Sequence, residues 1–175
     1  MVAHALAERW GLSRWKERFR GRLAEGRAAP NAAAGAGAPP RASRVAVLCP
    51  QTYMNDAGSS VGPARGSYRL PLERVIVVHD EIDLPFGEVR TRVGGGLAGH
   101  NGLKSIRREL GGPDFVRVRV GVGRPASSDP DVVSSYVLGR FAESGEHVRE
   151  LIERACAHVE AVVLGEQAAL AQERS

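Results

Sequence analysis

At 175 residues the chain suits a single domain whose hydrophobic core needs neither a metal nor a disulfide to hold it. Its two cysteines, Cys49 and Cys156, have neither the density of a disulfide scaffold nor the paired spacing of a zinc site, so both are expected to be reduced, buried thiols of a cytoplasmic protein. Lysine and arginine outnumber aspartate and glutamate by 24 to 20, which admits an anionic partner, while the sequence has no apolar run of the ~18 residues that would span a membrane and no signal-peptide pattern.

MVAHALAERW, residues 1–10, predicts a helix, because Ala and Leu dominate and Val2, Leu6 and Trp10 recur at i+4. No Ser, Thr, Asp or Asn stands ahead of Val2 to cap it. Positive charge then concentrates in WKERFRGRLAEGR, and further on in VRTRV, KSIRREL and FVRVRVGVGR, which makes nucleic acid the leading candidate partner. Residues 26–43, GRAAPNAAAGAGAPPRAS, carry no apolar periodicity and are expected to form a disordered surface excursion within one domain spanning 1–175. VAVLCP predicts a short buried strand stopped by Pro50, QTYMN a loop, and DAGSSVGPARGSY a short helix weakened by glycine.

The run Val75-Ile76-Val77-Val78 predicts a buried strand that delivers Asp80 at the end of a sheet, where open α/β folds place their chemistry. EVRTRV, residues 88–93, alternates with Arg90 and Arg92 on one face, and VRVRVGVG, residues 116–123, does the same with Arg117 and Arg119. Between them GGGLAGHNG reads as a loop and LKSIRREL as a helix stopped by Gly111-Gly112-Pro113. DVVSSYVLGRF is a connecting segment, and residues 144 to about 170 predict a long amphipathic helix. The mixed order of strands and helices predicts an α/β fold, a single-domain three-layer sandwich with a mixed central sheet and flanking helices.

GGGLAGHNG lacks the Gly-Lys-Ser/Thr ending of a P-loop and the spacing of a dinucleotide fingerprint, which disfavours a nucleotide-cofactor oxidoreductase. What it offers is a close turn, capped by Asn101, that presents His100 and Asn101 at a helix start. QTYMN places the ring of Tyr53 beside the amide of Asn55 just after a strand. Asn55, Asp80 and Asn101 therefore stand at three separate loop tips, an arrangement that could converge on one site.

PQTYMNDAG, VIVVHDEIDLPFGEVRTRVGGG, GHNGLKSI, FVRVRVGVGRP and SYVLGRF, in this order, resemble the bacterial-type peptidyl-tRNA hydrolases. That resemblance implies an enzyme that cleaves the ester between a peptide and the terminal ribose of tRNA, recycling tRNA in translation without metal or cofactor. It implies a cytoplasmic monomer with no membrane and no obligate protein partner. By the same resemblance Asp80 orients a catalytic histidine, Asn101 positions water and substrate, Tyr53 and Asn55 contact the aminoacyl end, and Met54 forms a wall. Arg92 and Arg119 match basic positions that grip the 5′ phosphate of tRNA, with Lys104, Arg107 and Arg108 available for backbone contacts. Asp83 and Glu81 are expected to be turn and surface residues.

Such proteins carry a first strand and a GLGNPG-x-x-Y-x-x-TRHN-x-G block whose histidine is the general base, and that block has no counterpart in these residues. Losing such a base costs roughly 10²- to 10⁴-fold in rate. His79, facing away from Asp80 by strand parity, is not expected to replace it; nor are His100 and His4. The expectation is a family member whose sequence starts within the family's domain, the alternative being a non-catalytic tRNA-binding module.

Overall fold

The structure, a computed structural model, describes residues 1–28, 43–97 and 99–165. Helix α1 (Val2–Arg9) starts at Met1 with no side-chain cap, as the sequence predicts. Strands β1 (Lys16–Arg18), β2 (Gly21–Ala28) and β3 (Ser43–Pro50) form an antiparallel sheet in that order. Residues 26–28 and Ser43 thus belong to strands rather than to the expected excursion, because Gly26, Arg27 and Ala28 pair with Val45, Arg44 and Ser43. The remainder of that excursion, 29–42, lies outside the described residues. The β1–β2 turn is made by Phe19 and Arg20, both in the left-handed region at φ 54° and 51°. Two such residues make the turn that matches strand twist, but Asn-Gly or Asp-Gly normally signals it, which is why this hairpin is illegible in the sequence.

Helix α2 (Gly58–Tyr68) leads to β4 (Ile76–Glu81), β5 (Val89–Val93), α3 (Asn101–Leu110), β6 (Val116–Gly121), α4 (Pro130–Leu138) and α5 (Gly145–Leu164). The second sheet has the order β4-β6-β5, with β4 parallel and β5 antiparallel to the central β6. The fold is mixed α/β and single-domain with flanking helices, but its strands divide into two three-stranded sheets instead of one central sheet. The reason is that β3 and β4 have no ladder between them among the described residues. Among the described residues β6 is the one strand paired with β4, and Ile76, Val77 and Val78 are half-buried, contrary to the buried strand that their composition predicts.

Val118 and Val120 of β6 pack with Leu6 of α1 and Leu151, Ala155, Cys156 and Val159 of α5. Arg9 pairs with Glu160 at 2.9 Å and with Glu153, and the Trp10 indole donates to Glu160 at 3.2 Å, locking α1 onto α5. A second cluster joins Leu103, Ile106 and Leu110 of α3 to Phe115 and Ala57, with Val75 and Val77 against it. The second sheet is therefore sandwiched, with α1 and α5 on one side and α3 on the other. Three smaller expectations need correction. Cys156 is buried but Cys49, on β3, only half so. The connecting segment is the helix α4, capped by the Asp129 carboxylate at the Asp131 N–H, and α5 ends at Leu164 because Gly165 turns left-handed at φ 82°.

Candidate active site

β4 ends in His79, Asp80 and Glu81, and strand parity sends His79 and Glu81 to one face and Asp80 to the other. Asp80 Oδ1 lies 3.4 Å from His100 Nε2. The same ring caps α3, its Nδ1 accepting from the N–H groups of Gly102 at 3.1 Å and Leu103 at 3.3 Å. The cap is thus His100, not Asn101 as expected, because the imidazole reaches two unpaired helix donors while Asn101 is already inside the first turn and exposed. A neutral imidazole accepting at Nδ1 carries its proton on Nε2, so His100 presents a donor to Asp80. Burial pushes the Asp80 carboxyl up, but the His100 contact and charge outweigh it and hold the group below the usual carboxylate range.

His79 contributes from the opposite face. Its Nδ1 sits 2.7 Å from the Asp80 carbonyl oxygen, which can only accept, so Nδ1 holds the proton and Nε2 is left as a buried lone pair without a partner. The His79 and His100 rings meet edge to face, 5.1 Å between centroids. Burial pushes His79 down to about 4, with the Asp80 carbonyl opposing and the neighbouring His100 adding to the shift.

The QTYMN loop arrives at the same helix end. Met54, Asn55 and Asp56 form one 3₁₀ turn, with Tyr53 88% and Met54 52% exposed and Asn55 at the surface. A side chain at Gly102 would start 2.5 Å from Met54 Sδ, so the absence of a Cβ there lets the loop close on the start of α3. Met54 thus touches the segment that carries His100 and Asn101. Asp80, Asn101 and the Tyr53–Asn55 loop consequently gather around the amino end of α3, the convergence the sequence predicts for these three segments.

The second cluster is basic. Arg92 of β5 stands opposite Arg117 of β6, and Arg90 opposite Arg119, which also faces His79 of β4. Opposite residues share a face, so four arginines line one side of the sheet. They are not equivalent. Arg90 pairs with Glu88, and Arg92 is exposed. Arg117 is 3% exposed, its guanidinium donating to the carbonyls of Gly96 at 2.7 Å and Gly94, so it is a buried pin for the glycine loop and not a surface charge. Burial lowers its proton affinity, and the charges of Arg119 and Arg92 lower it further. Arg119 Nε donates to Glu81 Oε2 at 3.0 Å, and Glu81 Oε1 accepts from the Asp83 N–H at 3.3 Å. Glu81 is 6% exposed, overturning its expected surface place, because the strand face it shares with His79 is the one that Arg119 covers. Asp83 is exposed and paired with Arg124, as a turn residue should be. Lys104, Arg107 and Arg108 are exposed on α3. Glu81 is the residue that sequence reasoning missed; its parity with His79 was legible, but its pairing required the β4–β6 register.

No group of three or more His, Cys, Asp or Glu side chains suited to a metal gathers among the described residues. A family profile described as peptidyl-tRNA hydrolase matches residues 1–175. The chain is 38% identical over 175 residues to a peptidyl-tRNA hydrolase of Azorhizobium caulinodans, covering 100% of this chain and 78% of that protein. To one of Granulibacter bethesdensis it is 44% identical over 146 residues, 83% of this chain and 68% of the relative. The crystal structure of the peptidyl-tRNA hydrolase from Acinetobacter baumannii superposes with a TM-score of 0.77 at 32% identity, over 94% of this chain and 78% of that one.

Proposed function

Because the chain belongs to the peptidyl-tRNA hydrolase family, we propose that the surface at the amino end of α3 receives the peptidyl ester of a tRNA and that the arginine face of the second sheet receives the tRNA phosphates. A water oxygen attacks the ester carbonyl, the bond from the carbonyl carbon to the terminal ribose oxygen breaks, the ribose oxygen leaves with one proton of the water and the other passes to solvent, giving a free peptide carboxylate and tRNA. Asn101 holds water and substrate in this scheme, Tyr53 and Asn55 hold the aminoacyl end, and Asp80 orients an imidazole. Arg92 and Arg119 grip the 5′ phosphate. The partner is peptidyl-tRNA, met by a monomer in the cytoplasm.

The observation that carries the proposal is the pairing of a half-buried carboxylate, Asp80, with a helix end that presents His100 and Asn101 beside the exposed Tyr53–Asn55 loop. Neither neighbouring imidazole is free to take the proton of the water. His100 spends its lone pair on two backbone N–H groups, and the lone pair of His79 is sealed from solvent and weakly basic. We therefore assign the role of general base to neither His79 nor His100, which keeps the tRNA-binding module as the second reading.

The test is release of an N-acylated amino acid from tRNA by this chain, with and without added imidazole, in wild type and Asp80→Asn. Slow turnover that free imidazole raises at least tenfold in wild type, and much less in Asp80→Asn, is expected. Fast turnover without imidazole that disappears in His100→Asn would make His100 the base and overturn that part of the scheme. Binding without rescue would favour the tRNA-binding module, and absence of any tRNA binding at low salt would overturn both.

A further inference from the structure

Glu81 sits on the basic face as a buried carboxylate in contact with an arginine. A carboxylate beside an anion site weakens attraction for the anion, so its presence there calls for a geometric reason. Its two oxygens are divided: Oε2 takes Arg119 Nε at 3.0 Å, and Oε1 takes the Asp83 N–H at 3.3 Å, which ties it to the turn following β4. Glu81 is therefore fixed at both ends and does not swing. The guanidinium of Arg119 is planar, so holding its Nε edge fixes the direction of its Nη groups. Those Nη groups have no hydrogen-bond partner among the described residues. Arg92, two positions along the neighbouring strand from Arg90, which stands opposite Arg119, is exposed on the same face, as is Arg90, which is paired with Glu88.

We infer that Glu81 is a positioning residue that aims the Nη edge of Arg119 at a terminal phosphate, exchanging part of the face's general attraction for RNA for selectivity toward that one phosphate. The inference rests on the phosphate role proposed above for Arg92 and Arg119. With Glu81 in place, the one guanidinium edge of Arg119 left unpaired is the edge that a phosphate oxygen can take. Without it the side chain is free to meet any backbone phosphate from several directions. The same strand thus serves both clusters, Asp80 turned to His100 and Glu81 to Arg119.

The experiment measures the dissociation constants of the 175-residue chain for an acceptor-stem RNA hairpin carrying a 5′ phosphate and for the same hairpin with a 5′ hydroxyl, together with the melting temperature of each variant. Wild type should favour the 5′-phosphorylated hairpin by on the order of tenfold. Glu81→Gln removes the charge and keeps one acceptor oxygen, which can take Arg119 Nε or the Asp83 N–H but not both, so it should bind both hairpins more tightly while lowering the ratio less than Glu81→Asp does. Glu81→Asp keeps the charge but withdraws it by one methylene, and should lower the ratio toward one. Glu81→Ala should lower it likewise, with affinity for the hydroxyl hairpin retained or raised. If Glu81→Ala fails to fold, the Gln and Asp variants decide alone. A wild-type ratio near one would overturn the phosphate role itself. A wild-type preference that Glu81→Asp leaves intact would overturn the positioning role and leave the phosphate site standing.

Discussion

His79 illustrates how one buried side chain sets a pH limit on the whole fold. Its ring is pushed down to about 4 by burial, against an ordinary value of 6.5, so between these values the unfolded chain binds a proton that the folded chain refuses. The stability that His79 contributes is complete above about pH 6.5 and is lost as the pH falls toward 4, a total of roughly 3 kcal/mol. Asp80, held below the usual carboxylate range, adds a loss at still lower pH, as its folded carboxyl is protonated. Urea titrations at several pH values from 4 to 7.5 should show this slope in wild type and a shallower one in His79→Asn, whose amide can still donate to the Asp80 carbonyl. An equally steep slope in the variant would assign the acid sensitivity to other groups.

At the scale of elements, the glycine loop between β5 and α3 is held from beneath by Arg117. Gly95 lies at φ +87°, and a Cβ there would sit 2.7 Å from Arg92 Cζ and 2.8 Å from Arg117 Nη2. Gly95→Ala should therefore cost about 1–2 kcal/mol from backbone strain alone, with displacement of the two arginines added. Thermal or urea unfolding measures the cost, and a change under a few tenths of a kcal/mol would mean that the loop is not packed as described. This loop shows what was legible and what was not. The glycines, the helix that follows and the alternating arginines were visible as local patterns, and so was the gathering of Asn55, Asp80 and Asn101 at element ends. Arg117 as a buried pin, Glu81 as its neighbour's partner and His100 as the cap were not, because each depends on pairing between residues more than fifteen apart or on which way a ring turns. The β1–β2 hairpin was hidden for a different reason: β1 is three charged, exposed residues and the turn is built from Phe19 and Arg20.

For the whole molecule, a formal charge of +4 understates the attraction available to RNA, because it is the arrangement of the cations that matters. Arg117 is internally committed and Arg119 partly so, whereas Arg92, Lys104, Arg107 and Arg108 are exposed. Arg92→Ala should weaken tRNA binding and reduce the slope of log affinity against log salt by about one, as expected for one lost phosphate contact. Filter binding between roughly 50 and 200 mM salt gives that slope, and an unchanged slope would remove Arg92 from the interface. The two clusters have one further property in common, which comes from the alternation of β4. Asp80 and Glu81 are adjacent carboxylates, one methylene apart in length, that point to opposite faces. Inserting or deleting one residue between Ile76 and Asp80 would turn both over together, bringing Glu81 toward His100 and Asp80 toward Arg119. Related sequences should consequently vary in the identity of the residues along this strand far more readily than in their number.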